Sequence, residues 1–210
     1  MRAEVFSGRL LVSGAAGQTS SYNQVDVSFN GYSPITVRDN GLVAVDVPVS
    51  YDASSVTSLD LSRLTGAGAS VSWYTNVDGR VTGSGSDDYI ASGDGRQRLL
   101  GGNGNDYIDG GAGNDTLWGG NGNDRLFGGD GDDLIFFESG FDTIDGGLGS
   151  DTIHFNRDFD NFELYEVDGI YTLIVRGSNE ETENIAIFSN IETMGFSDRT
   201  LDLSDRMAWT

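Results

Sequence analysis

Read for its apolar positions alone, the chain divides into three stretches. Up to about residue 82, apolar and polar residues alternate: Val25-Asp26-Val27-Ser28-Phe29, Ile35-Thr36-Val37, Val43-Ala44-Val45-Asp46-Val47, Leu59-Asp60-Leu61 and Val71-Ser72-Trp73. A period of two puts every second side chain on one face of a strand, so these runs predict strands, separated by Gly, Asn and Ser clusters. No stretch has the 3.6-residue period of a long helix. From Gly83 to His154 the alternation gives way to a stricter order, in which one aliphatic residue returns every nine positions. Beyond residue 155 alternation resumes. Phe162 to Val175 alternates around Asp168-Gly169, a hairpin turn signal, and a further strand is predicted at Ile185 to Phe188.

The nine-residue unit is clearest from Gly101, where GGNGNDYID, GGAGNDTLW, GGNGNDRLF and GGDGDDLIF follow without insertion as far as Phe136. FESGFDTID and GGLGSDTIH extend the frame downstream, and GSGSDDYIA and SGDGRQRLL extend it upstream, giving eight units over residues 83–154. Position six is aspartate in seven of the eight, Asp88, Asp106, Asp115, Asp124, Asp133, Asp142 and Asp151, with Gln97 as the exception. Position eight is aliphatic in all eight: Ile90, Leu99, Ile108, Leu117, Leu126, Ile135, Ile144 and Ile153. A disordered glycine/aspartate linker has no reason to keep that residue.

The unit cannot be helical, because each glycine costs up to about 1 kcal/mol relative to alanine in a helix. It suits a turn whose backbone visits positive φ, and Asn105, Asn114 and Asn123 at position five are expected to share that conformation. Short strands such as Tyr107-Ile108, Thr116-Leu117 and Leu134-Ile135 follow each turn. One aliphatic residue per unit makes no core alone, but stacked units align it into a ladder, which implies a parallel β-solenoid with turns alternating between two edges. Turns on one edge belong to units n and n+2, roughly 4.8 Å apart. Their aspartates would form a column of like charge that opposes folding. A hard divalent cation reverses this. Calcium accepts six to eight oxygens at about 2.3–2.6 Å, carboxylate and carbonyl alike, whereas magnesium demands stricter geometry and keeps its waters.

The run resembles the repeats-in-toxin (RTX) family, whose GGxGxDxUx signature belongs to calcium-binding β-helix repeats. The likeness is close over Gly101 to Phe136 and looser in the flanking units. It implies an all-β fold, a right-handed parallel β-roll (β-solenoid), with each calcium shared by the aspartates and turn carbonyls of units n and n+2. Carried over residue by residue, one edge uses Asp88, Asp106, Asp124 and Asp142, and the other uses Asp115, Asp133 and Asp151. The carbonyl donors are Gly101, Gly102, Asn103 and Gly104; Gly110, Gly111, Ala112 and Gly113; Gly119, Gly120, Asn121 and Gly122; Gly128, Gly129, Asp130 and Gly131; and Gly146 with Leu148. Eight turns offer six sites, and about four to six calcium ions are expected. Gln97 brings no charge, and Phe137-Glu138 replaces the glycine pair of the seventh unit. The resemblance further implies secretion from a bacterium through a type I apparatus, with an uncleaved carboxy-terminal signal.

The flanks fit the same scheme. Ser58 to Ser62, Gly68 to Tyr74 and Gly79 to Thr82 look like calcium-free rungs, with a small β-sandwich over residues 1–55 as the alternative. Asn190-Ile191-Glu192 through Phe196 to Asp198 is similar to a stretch common after RTX arrays. A solenoid end needs a cap, and residues 155–203 are expected to provide it. The layout is therefore 1–82 amino-terminal β region, 83–154 β-roll and 155–210 capping region.

Composition removes other functions. With 33 acidic residues against 12 basic ones, all arginine, the net charge is −21, which opposes nucleic acid and anionic lipid. No cysteine is present, so thiolate metal sites and cysteine nucleophiles are excluded. No run reaches the ~20 apolar residues of a membrane span, and Met1-Arg2-Ala3-Glu4 has no signal-peptide character. The single histidine, His154, lies at position nine of the last unit, and neither HExxH nor GxSxG occurs, so no catalytic function is expected. Trp73, Trp118 and Trp209 could stack on sugars, which makes a polysaccharide or a cell surface the alternative partner. The competing roles are a targeting module of an extracellular protease, lipase or polysaccharide-modifying enzyme, and a calcium-rigidified adhesin or surface-layer segment.

Overall fold

The computed structural model describes residues 58–65, 68–73, 78–176 and 182–204, together with the backbone of five strands within residues 2–47. Those five are β1 (Arg2–Phe6), β2 (Arg9–Ala15), β3 (Asn23–Val27), β4 (Ile35–Asp39) and β5 (Val43–Val47). Three more precede the nonapeptides: β6 (Ser58–Thr65), β7 (Ala69–Trp73) and β8 (Gly79–Thr82). The nonapeptides supply β9 (Tyr89–Ser92), β10 (Gln97–Asn103), β11 (Tyr107–Asp109), β12 (Thr116–Asn121), β13 (Arg125–Asp130), β14 (Leu134–Phe137), β15 (Phe141–Leu148) and β16 (Thr152–Phe155). After them come β17 (Phe162–Val167), β18 (Ile170–Arg176), β19 (Thr182–Ser189), β20 (Thr193–Gly195) and β21 (Thr200–Asp202). Among the described residues the one helical turn is a 3-10 turn at Phe159–Asn161, and no helix is long and apolar enough to cross a membrane.

Successive strands go to different sheets. One sheet runs β1-β2-β6-β8-β10-β12-β14-β16-β20-β21, and the other runs β17-β18-β19-β15-β13-β11-β9-β7-β5-β4-β3. Within the nonapeptides all neighbours are parallel, in registers such as Leu99↔Leu117, Leu117↔Ile135 and Ile108↔Leu126. A two-unit step therefore separates paired residues, which is the solenoid that the period implies. The parallel ladder continues outward to β8, β6 and β2 in one sheet and to β7 and β5 in the other. Leu59-Asp60-Leu61, Val71 and Gly79–Thr82 thus stack as rungs. Side chains of the alternating runs before residue 58 lie outside the described residues.

Each sheet ends in antiparallel strands: β1 on β2 and β20 on β21 in one, β3-β4-β5 and β17-β18-β19 in the other. A hairpin that turns back on itself ends the stacking direction of a parallel ladder and limits edge pairing. The hairpin read at Asp168-Gly169 joins β17 to β18, with both residues at positive φ (53° and 81°).

The position-eight residues form the core. Leu99, Leu117, Ile135 and Ile153 face inward from one sheet, Ile90, Ile108, Leu126 and Ile144 from the other, and none is more than 1% exposed. The two ladders extend to Leu59, Val81 and Met194 in one sheet, and to Val71 and Phe188 in the other. Burying one such side chain contributes about 1.5–3 kcal/mol. At the carboxy-terminal end the ladder meets an aromatic cluster of Phe137, Phe155, Phe159, Phe162 and Phe196 with centroids 5.1–5.5 Å apart.

Candidate metal centre

The five turns that carry three glycines use them for two different reasons. Positions two and four need positive φ: Gly120 and Gly122 sit at 106° and 136°, and the pair recurs at 102/104, 111/113, 129/131 and 147/149. A side chain there would be strained whatever space surrounded it. Position one has ordinary φ but no room. A Cβ built on Gly110 would lie 2.5 Å from both Asp115 Oδ2 and Gly128 O.

The position-five asparagines depart from expectation. Among the described residues only Asp168 and Asn190 combine a side chain with positive φ, so Asn105, Asn114 and Asn123 are not left-handed. Their oxygens are hydrogen-bond acceptors instead. Asn105 Oδ1 accepts the Asn123 N–H at 2.9 Å, Asn123 Oδ1 accepts the Phe141 N–H at 2.9 Å and Asn114 Oδ1 accepts the Asp132 N–H at 3.2 Å. Asp87 and Asp132 do the same for Asn105 and Ser150. The amide oxygen satisfies the backbone of the turn two units on, which outweighs the tolerance for positive φ that asparagine also has.

At position six a second ladder runs the opposite way. Asp106 Oδ1 accepts the Asp88 N–H, Asp124 Oδ1 that of Asp106, and Asp142 Oδ1 that of Asp124, at 2.8–2.9 Å. On the other edge Asp115, Asp133 and Asp151 accept from Gln97, Asp115 and Asp133 at 2.7–2.8 Å. This consumes Oδ1 and leaves Oδ2. In Asp106, Asp115, Asp124, Asp133 and Asp151 that oxygen is buried without a hydrogen-bond partner. Each of the five faces the space beside the position-one glycine of its own turn: Gly101, Gly110, Gly119, Gly128 and Gly146. At Gly101, Gly110 and Gly128 the carbonyl of the position-one glycine two units on, Gly119, Gly128 or Gly146, points into the same space.

Burial is the main reason these carboxyls resist ionisation. Asp106 and Asp115 are pushed up to about 8, Asp142 to about 7, and Asp124 and Asp151 to about 6. Asp88 and Asp133 are raised for the same reason. The backbone N–H donors pull the other way, and neighbouring carboxylates push further up: Asp88 and Asp124 on Asp106, Asp133 on Asp115, Asp133 and then Glu192 on Asp151. A dry column of anions is thus unfavourable alone and well suited to a cation. Among the described residues no three His, Cys, Asp or Glu side chains converge on one point. The donor set is accordingly a column of single carboxylates and turn carbonyls, all hard oxygens, the preference of calcium rather than of a transition metal.

The remaining predicted carbonyls share in turn stacking. Asn121, Asp130 and Leu148 accept the N–H of Gly104, Gly113 and Gly131 at 2.7–3.0 Å. The carbonyls of Gly102, Gly104, Gly111, Gly113, Gly129 and Gly131 lie under the glycines of the next turn on their edge. Asn103 and Ala112 stand at the exposed to half-buried rim. At Gly119 the three nearest atoms all belong to Asp124. The next turn there begins with Phe137, which pairs with Phe155 in the apolar cluster.

Two turns at the amino-terminal end satisfy their own oxygens, although the space beside Gly83 is still faced by Asp88 Oδ2 and the Gly101 carbonyl. Ser92 takes position one of the Gln97 unit, and its hydroxyl donates to the Gly110 carbonyl and to Gln97 Oε1 at 3.1 Å. Asp88 keeps both oxygens occupied: Oδ2 accepts the Ser84 N–H at 2.6 Å, and Oδ1 accepts from Ala69 N and Ser84 Oγ. The nine-residue pattern does not single out these serines. Nor does it single out Glu192, which directly precedes the paired Thr152↔Thr193 step and whose Oε2 accepts the Asp151 N–H at 2.7 Å. The signal was present in Glu192-Thr193-Met194, a carboxylate two residues before an apolar ladder residue.

These features define a parallel β-roll whose two edges are columns of buried aspartate oxygens set against glycine turns. Residues 100–135 and 138–162 match the family model of the RTX calcium-binding nonapeptide repeat, described as four copies. This segment therefore carries RTX nonapeptide repeats, a repeat described as calcium-binding. A search of curated proteins returned no match.

Proposed function

We propose that this chain is the calcium-folded β-roll module of a secreted RTX-type protein, holding four to six ions between turns n and n+2 of each edge. The ligands are the position-six aspartates, Asp88, Asp106, Asp115, Asp124, Asp133, Asp142 and Asp151, with the turn carbonyls. One observation carries the reading: five buried aspartate oxygens lack a partner, and each faces a cleft that a single Cβ would fill. An oxygen so placed costs about 1–3 kcal/mol if nothing binds it.

The metal's contribution is charge and coordination. It neutralises the column and satisfies the orphaned oxygens, so binding free energy becomes folding free energy. Residues 1–82 serve as amino-terminal rungs, 83–154 as the roll and 155–210 as the cap. The chain is not itself an enzyme. Low calcium inside a bacterium keeps the array open for a type I exporter, and roughly millimolar calcium outside suits weak extracellular sites.

A second role, contact with a polysaccharide or cell surface, is favoured by one observation. Trp118, Phe136 and His154 form a row on one sheet face, Trp118 stacked on Phe136 and His154 tilted against it, with Arg98 over the Trp118 ring. Circular dichroism during a calcium titration tests the main reading. Strand signal is expected to appear cooperatively as calcium rises and to vanish with chelator. A full strand signal in chelator, unchanged at millimolar calcium, overturns it.

A further inference from the structure

We infer that the carboxy-terminal cap carries a calcium site of its own, formed between the turn of Asp151 and the segment 190–192, so that docking of the cap onto the array depends on metal. The inference rests on reading the array as calcium-binding. It extends that reading to residues outside the nonapeptides and outside the matched segments.

The pairing Thr152↔Thr193 and Ile153↔Met194 sets Glu192 opposite Asp151, as Asp151 is set opposite Asp133. The contact is also the same in kind. The Asp151 N–H donates to Glu192 Oε2 at 2.7 Å, as the Asp133 N–H donates to Asp151 Oδ1 at 2.8 Å. Glu192 therefore continues the aspartate column of that edge, although 41 residues of sequence separate it from Asp151.

The cleft is continued as well. A Cβ on Gly146 would meet Asp151 Oδ2 at 2.6 Å and the carbonyl of Asn190. That carbonyl stands where the Gly146 carbonyl stands over Gly128, and the Gly128 carbonyl over Gly110. Asn190 reaches this position at a φ of 52°, one of the two left-handed non-glycine residues among those described. Its side-chain amide is anchored on Asp145 Oδ1 at 2.7 Å. Asp151 is fully buried, and its Oδ2 has no partner. Two carboxylates and a carbonyl make a hard, all-oxygen donor set for a divalent cation of calcium's size.

The same turn holds the cap. The Glu192 carbonyl accepts the Leu203 N–H at 2.8 Å, and Ile191, Met194 and Leu203 are buried around it. Drawing Glu192 and Asn190 onto a cation beside Asp151 and seating the cap on the last rung are thus one event.

Equilibrium dialysis of the full chain counts the ions. At a free calcium level that just saturates the parent chain, Glu192→Gln and Gly146→Ala are each expected to bind one ion fewer. Hydrogen exchange supplies a second reading: protection of residues 190–203 is expected to rise with calcium in the parent chain. In Glu192→Gln it is expected to lose that dependence while residues 101–136 keep theirs. Glutamine retains an oxygen for the Asp151 N–H. An unchanged ion count with unchanged calcium-dependent protection would therefore reduce Glu192 to a hydrogen-bond role and overturn the inference. If the parent chain binds no calcium, the reading of the array fails first; if it binds and Glu192→Gln binds as many, only the cap site fails.

Discussion

At the scale of single residues, the glycines separate metal binding from backbone conformation. Gly110 has ordinary φ and a filled surrounding; Gly169 has a φ of 81° and nothing within 4 Å of a built Cβ. Gly110→Ala places a methyl group beside Asp115 Oδ2 and the Gly128 carbonyl, in the space assigned to a cation. It is expected to bind one ion fewer and to need several-fold more calcium for half-folding. Gly169→Ala strains one hairpin residue, a cost of about 1 kcal/mol, and is expected to keep the full ion count with a slightly lower melting temperature. Isothermal titration with thermal unfolding distinguishes the two, and equal ion counts for both would remove the position-one cleft as the binding place. The aspartates of this site were legible in the sequence because a carboxylate repeated every nine residues has no use on a solvated face. The role of Asn105 and Asn123 was not, because one side chain offers both tolerance of positive φ and an acceptor oxygen, and only the stacked neighbour decides which is used.

At the scale of the turn-and-strand unit, the Gln97 rung departs from the others in a way that can be reversed. Its neighbours leave a carboxylate oxygen facing a cleft, whereas Ser92 fills that cleft with a hydroxyl bound to Gln97 and to the Gly110 carbonyl. Gln97 still donates its N–H to Asp115 Oδ1 at 2.7 Å, so the rung keeps the backbone geometry of a metal-binding turn. Restoring the consensus with Ser92→Gly and Gln97→Asp together should add one calcium to the dialysis count. It should also make folding more calcium-dependent, because a self-satisfied rung becomes a charged one. Gln97→Asp alone leaves the serine in place and is expected to add no ion. An unchanged count in the double variant would show that rung geometry at this end does not suffice. The sequence marked this unit only by what it lacks, a charge at position six. The serine five residues earlier became informative once the fold showed both side chains entering one cleft. Glu192 was hidden for a related reason: the β17–β18 hairpin and β19 stand between it and the turn it stacks on, which breaks the nine-residue frame while preserving the register.

At the scale of the whole molecule, the question is whether calcium acts as an ion atmosphere or as a ligand. The chain carries −21, of which the nonapeptides hold 14 acidic and 3 basic residues, a net of −11. Simple salt reduces repulsion only beyond a screening length of about 8 Å at 0.15 M, and stacked turns are about 4.8 Å apart. Sodium therefore leaves the nearest carboxylates interacting, and it does not meet the coordination demand of the five orphaned oxygens. Magnesium carries the right charge but holds its waters and requires near-octahedral geometry, which a cleft built from one carboxylate oxygen and a turn carbonyl does not impose. Small-angle scattering should accordingly report an expanded chain in chelator and a compact one at millimolar calcium. Sodium chloride at about 0.15 M, or magnesium at the same millimolar level, should leave the radius of gyration close to its chelated value. Compaction by sodium alone would mean that screening suffices and that the clefts are incidental. Equal compaction by magnesium would mean that charge, and not the geometry of glycine turn and buried aspartate, selects the ion.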